Sequence, residues 1–233
     1  MISSYIIRLK HNKFSNDLAT ESYIAAKALG YNVSYFEGIY DHKQIADLFL
    51  QDRLVVHSDE QMKQSWGTRG CFASHYTLWK TCVETNEPII VMEHDGYPIR
   101  NPEKLIDEVE HACHLDYHIP FNSADGDESE KHFDYYDRVV REQYESGVEP
   151  YPKNNFYGQQ SVTGSFFRHA YGYILKPKGA KRLIDFVYKN GVFQADQCFC
   201  ENAINIQRSK CTYVRLNPIF KSIKNQRDFT TRL

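Results

Sequence analysis

The run Ile89-Ile90-Val91-Met92 constrains this chain more than any other segment. Four consecutive apolar residues leave no polar face, so a strand built from them must be covered on both sides. Such a strand belongs at the centre of a parallel sheet flanked by helices. The run stops abruptly at Glu93-His94-Asp95-Gly96. In an open α/β sheet, ligands bind beyond the carboxyl ends of the strands, where these two acids fall.

The rest of the chain supplies partners for such a strand. Ser4 to Leu9 reads as a buried first strand, Asn16 to Leu29 as a helix stopped by Gly30, and Asn32 to Phe36 as a second strand. This βαβ rhythm predicts a parallel sheet. Gly70 to Glu84 reads as a helix with Cys71, Leu78 and Cys82 on an inward stripe, which makes Cys71 and Cys82 core thiols. Asn101 as N-cap and Pro102 at the first turn predict a further helix burying Leu105, Ile106, Val109 and Cys113. Tyr171 to Leu175 reads as a strand and Pro177 to Tyr188 as a helix. Asn122 to Gln160 is acidic, Tyr-rich and weakly periodic; it reads as a long insert over one face, with a helix from Glu128 to Glu145.

Glu93 and Asp95 are the candidate metal ligands, because hard divalent cations take oxygen ligands and an acid-x-acid turn can hold one against a diphosphate. Acids after a strand also occur with no metal. Ser74 and His75 are adjacent on a helix and do not face each other, which excludes a hydrolase triad. His169, near the start of a strand, offers a positive group for a leaving diphosphate, or reads as a surface histidine.

The stretch Gly67-Thr68-Arg69-Gly70-Cys71-Phe72-Ala73-Ser74-His75, with Trp79 beyond, resembles glycosyltransferase family 25. The family pattern is G-E-x-G-C-x-x-S-H-x-x-x-W, a helix, an apolar strand and then E-D-D. Gly67, Gly70, Cys71, Ser74, His75 and Trp79 match, and Glu93-His94-Asp95 stands where E-D-D belongs. Ala170 to Leu175 with Gly179-Ala180-Lys181-Arg182-Leu183 looks like the family's A-Y-x-x-S-x-x-G-A-x-x-L-L. Asp196 stands at its V-D pair, and Leu216-Asn217-Pro218-Ile219 resembles its late x-x-P-x segment. The sequence departs at Thr68, for the family Glu, at His94, for the middle Asp, and at Arg8-Leu9, for N-L. Imidazole at 94 can still bind manganese but weakens a hard-oxygen magnesium site.

The resemblance implies a GT-A-like single α/β domain over residues 1–233, with a mostly parallel central sheet, flanking helices and the insert on one face. It implies a nucleoside-diphosphate sugar donor, often a UDP-sugar, with Mn2+ or Mg2+ and inversion at the anomeric carbon. Glu93 and Asp95 carry over as metal and diphosphate ligands, with Asp95 also catalytic. Arg8, Glu37, Ser74, His75, His94 and His169 are the remaining donor-site candidates. An inverting displacement needs a general base, and Asp196 is the candidate, although it also reads as a cap or turn aspartate.

Charge and thiols bear on the acceptor. The net charge of −2 does not demand nucleic acid. A basic tail over residues 208–233 leaves DNA carrying hydroxymethylated bases, the phage-type acceptor, as an alternative to a saccharide. A nucleotide-sugar-binding protein that has lost catalysis is the second alternative. The N-terminus shows no signal-like segment and no window approaches a membrane span, so with its six cysteines read as reduced the chain is expected in the cytoplasm.

Overall fold

The computed structural model describes residues 1–56, 65–117, 145–152, 165–167 and 169–217. Their strands are β1 (Ser3–Arg8), β2 (Asn32–Glu37), β3 (Ile89–Glu93), β4 (Gly96–Pro98), β5 (Ala112–His114), β6 (Val148–Pro150), β7 (Gly172–Leu175), β8 (Ile206–Ser209) and β9 (Val214–Leu216). Their helices, numbered in chain order, are α1 (Lys13–Ala28), α2 (His42–Gln51), α3 (Trp66–Thr85), α4 (Pro177–Asn190) and the single turn α5 (Ala195–Cys198).

Seven strands form one sheet in the order β2-β1-β3-β7-β5-β8-β6, and β4 pairs with β9 beside it. The strands β1, β2, β3, β5 and β8 run one way, while β7 and β6 run against them. The sheet is thus mostly parallel in direction but mixed in pairing, because an antiparallel β7 is inserted between β3 and β5. The strand Ile89 to Met92 is central and fully buried, as its apolar run requires.

Alternation along the strands sends residues to two cores. Ile7, Val91, Tyr173, Leu175 and Ala112 pack on one face with Phe72, Trp79 and Cys82 of α3 and Leu183 of α4. Ile6, Ile90, Met92, Ile174 and Cys113 pack on the other with Ala19 and Ala26 of α1. The helices start where local chemistry lets them. Asn12, Asp41 and Ser65 each accept a backbone N–H of the first turn of α1, α2 and α3. Helix α2 has no counterpart in the sequence reading; Asp41 caps it by accepting the Gln44 N–H, and Ile45 is its buried residue.

The helix expected after Asn101 is only a 3-10 turn, Glu103–Leu105, and Cys113 lies in β5. Asn101 does cap Glu103. The chain must nevertheless re-enter the sheet within a few residues, where Ala112–His114 pairs with both β7 and β8. Long-range pairing overrides the local helix signal, and Leu105 and Val109 reach the core from a compact loop. Cys71 is exposed, not a core thiol, whereas Cys82 is buried as expected.

Of the insert Asn122 to Gln160, only residues 145–152 are described, and there β6 pairs with β8 as an edge strand. The helix expected from Glu128 to Glu145 falls outside the described residues save for Glu145. The basic tail is described only to Asn217. In that part Arg208 pairs with Glu149 at 2.6 Å and Lys210 with Glu145 at 2.7 Å, so insert and tail neutralise each other there. No helix among the described residues is long and apolar enough to cross a membrane.

Gly179, in the first turn of α4, lies against the backbone before β5: a Cβ there would sit 2.4 Å from the carbonyl oxygen of His111. Gly→Ala inside a helix ordinarily stabilises by about 1 kcal/mol. At this position the clash reverses the sign, and Gly179→Ala is expected to destabilise by about 1–3 kcal/mol. Urea denaturation with an unchanged m value checks this; a stabilised variant contradicts the packing.

Candidate active site

The parallel strands β1, β2 and β3 end together. Arg8 is paired with Glu37 in the sheet register and Ile7 with Glu93, so all three polar residues stand on one carboxyl edge. The antiparallel β7 starts at the same edge, with Met92 opposite Gly172, which brings His169 there too. The Glu93 N–H donates to the Tyr171 carbonyl at 3.0 Å, and the turn that follows carries Asp95. Gly96 closes the turn because a Cβ there would meet the Tyr171 carbonyl oxygen at 2.2 Å.

Helix α3 brings the opposite wall. A Cβ at Gly70 would collide with the Ile39 carbonyl at 2.4 Å, so only glycine lets the loop after β2 lie on this helix. One turn on, Ser74 Oγ donates to the Gly70 carbonyl and accepts the Ile39 N–H, both at 2.8 Å. Ser74 is therefore occupied in holding the loop.

His75 ties the walls together. Trp79 Nε1 can only donate, and it donates to Tyr173 Oη at 3.2 Å. The tyrosine proton is then directed to His75 Nδ1, 2.8 Å away. That fixes a neutral imidazole as the Nε2–H tautomer, which donates to Glu93 Oε1 at 3.1 Å. Sequence reasoning missed Tyr173, whose β-strand pattern gives no sign of a polar partner.

Burial alone would raise the Glu93 carboxyl, but the hydrogen bond and charge of His75, with His94 and His169, more than offset it and hold it below its ordinary range. Asp95 goes the other way: burial first, then the charge of Glu93, push it up to about 6. Its Oδ1 is buried with no hydrogen-bond partner among the described residues. Burial also raises Asp196, against the opposing influence of His169 and of the Gln197 N–H, which donates to its Oδ1 at 2.9 Å. Asp196 sits in α5, which packs on α3, and is near enough to Glu93 to feel its charge. Cys71 joins the same cluster: crowding by surrounding protein, then Glu93, Asp196 and Asp95, raise its thiol.

The structure therefore brings Glu93, His94, Asp95, His169, Asp196 and His75 into one cluster. His169 holds a left-handed backbone at φ 58°, a conformation that costs a non-glycine residue energy. The His114 Nε2–H donates to its carbonyl at 2.7 Å and holds it there. Arg8 and Glu37 lie on the same edge but engage one another at 2.7 Å, and Arg8 stacks over Tyr35 with 3.7 Å to the ring centre. The Glu37 side chain is about half exposed and can still receive a ligand hydroxyl.

The residues fit a hard divalent cation. An orphaned carboxylate oxygen beside a second carboxylate is a poor arrangement by itself and a good one around positive charge.

A family model described as "Glycosyltransferase family 25 (LPS biosynthesis protein)" matches residues 1–199. Among solved structures, the apo form of mouse xyloside xylosyltransferase 1 is similar, with a TM-score of 0.40 and 11% identity over 85% of this chain and 80% of that one. No curated protein sequence matches.

The Asp95 shift predicts a trade of stability against function. Its ordinary value is 3.8 and its folded value about 6, so the folded chain loses stability as pH rises between them and carries the full penalty above 6. A displacement of that size is worth about 3 kcal/mol, and solvent contact at this half-buried group reduces it to about 1–2 kcal/mol. Asp95→Asn should therefore raise the unfolding free energy of the ligand-free chain near pH 7.5, with the gain shrinking below pH 6 and gone by about pH 4. Thermal unfolding across that range checks it; an Asn variant less stable than the parent at pH 7.5 contradicts the burial of an unsatisfied charge.

Proposed function

Since the chain belongs to glycosyltransferase family 25, we propose that it moves a sugar from a nucleoside-diphosphate sugar, a UDP-sugar, to an acceptor hydroxyl of a saccharide, with metal dependence and inversion. The observation that carries this reading is the pair Glu93 and Asp95. They stand at the carboxyl end of the central strand with their protonation equilibria driven apart and one buried oxygen unsatisfied.

In this reading Glu93 and Asp95 hold Mn2+ or Mg2+. When bound, the cation supplies positive charge against the diphosphate that departs. The chain's own residues do the rest. His75, backed by Tyr173 and Trp79, keeps the Glu93 carboxylate oriented. His169 presents an imidazole towards the same carboxylates, where it can donate to a diphosphate oxygen. Glu37, at the end of β2, can accept a hydrogen bond from a ribose hydroxyl, with Arg8 fixing its position.

Asp196 takes the proton from the acceptor hydroxyl as that oxygen attacks the anomeric carbon. Its raised equilibrium suits this role, since a base works best when its pKa lies nearer the working pH. The six free thiols fit a reducing compartment, the cytoplasm. A saccharide acceptor is favoured over DNA because the described basic residues Arg208 and Lys210 are already paired with acids.

Nucleoside-diphosphate release from a panel of nucleotide sugars, with and without manganese, tests the reaction against saccharides and hydroxymethylated DNA. Asp196→Asn keeps the shape and removes the basicity. Its turnover should fall about a hundredfold while donor binding stays near native. An Asn variant with native turnover removes Asp196 as the base.

A further inference from the structure

Cys71 is unused by this account. It lies on the same face of α3 as His75, one helical turn before it, and is exposed while the other five cysteines are buried. Its Sγ, a His75 ring nitrogen and a Glu93 carboxylate oxygen all lie within 4.8 Å of one another. Ligand atoms around one tetrahedral zinc ion are roughly 3.3–3.6 Å apart, so modest side-chain rotations complete the triangle. Three protein ligands of S, N and O type with an open fourth position form a thiophilic set, unlike the all-oxygen set that suits manganese or magnesium.

We propose that Cys71, His75 and Glu93 form a site for a thiophilic divalent cation, zinc above all, whose occupation competes with the hard cation for Glu93. The surroundings favour it. Tyr173 Oη, 2.8 Å from His75 Nδ1, donates to that nitrogen in the free chain; with Nε2 on a metal its hydroxyl rotates and accepts from Nδ1–H instead, which still orients the ring. The unpartnered Asp95 Oδ1 lies near enough to Glu93 to feel its charge, so a cation on Glu93 also relieves Asp95. On binding, the Cys71 thiol releases its proton to solvent, and His75 moves its ring proton from Nε2 to Nδ1 so that Nε2 can face the metal. The hydrogen bond from His75 to Glu93 is then replaced by two bonds to one ion.

Two cations would thus act in opposite senses. A hard cation serves the donor through Glu93 and Asp95, while zinc draws Glu93 towards α3 and suppresses transfer. This competition rests on the transferase reading; the zinc site itself does not.

The test uses the full chain and metal alone. Cadmium, a zinc surrogate, gives a thiolate-to-metal charge-transfer band in the ultraviolet. Titration should reach one equivalent per chain, with the band lost in Cys71→Ser. With manganese present, added zinc should lower turnover about tenfold or more, whereas Cys71→Ser should hold close to its own zinc-free rate. No thiolate band, or a band and zinc sensitivity that survive in Cys71→Ser, overturns the site. A band without any turnover in the parent chain supports the site and counts against the transferase reading alone.

Discussion

The line of hydrogen bonds from Trp79 through Tyr173 and His75 to Glu93 holds the site together. It starts in the core, crosses from α3 to β7, returns to α3 and ends on the last residue of β3. Each member fixes the proton of the next, because tryptophan can only donate and tyrosine then has one proton left to give. A buried chain of this kind is costly if one member is missing, since the remaining groups have no water to turn to. It sets the orientation of one carboxylate on an edge where several strands and loops converge.

That edge carries more negative charge than the fold can satisfy by itself. Glu93 is compensated by histidines, while Asp95 is left with a buried oxygen that nothing among the described residues pairs. Asp196 is desolvated nearby. The free chain therefore stores an electrostatic cost in a place where a cation would relieve it. A cost of this kind, left in place at a strand edge, is the usual direction of compromise at functional sites.

Much of this was legible in the sequence. The apolar run Ile89 to Met92 announced a strand buried on both faces, and the acids behind it announced the edge. Gly70 and Ser74 were visible as motif positions, but their reason is three-dimensional: one makes room for the Ile39 carbonyl and the other holds its N–H. The antiparallel placement of β7 was not legible, because Tyr171 to Leu175 is as uniformly apolar as a parallel strand. The false helix after Asn101 came from good capping chemistry overruled by pairing with distant strands. Cys71 was misjudged as core because the helix stripe it belongs to turns outward at its first member. The pairing of Tyr173 with His75 joins residues 98 apart in sequence, beyond any local pattern.

A cation at Glu93 and Asp95 that holds a donor diphosphate is the central claim of the proposed reaction. Calorimetric titration of UDP into the chain, with manganese and with chelator, measures this without requiring the acceptor. The account predicts that manganese strengthens UDP binding about tenfold or more, and that Glu93→Gln removes this increment with the fold intact. UDP that binds equally well in chelator, or a manganese increment unchanged in Glu93→Gln, would contradict it.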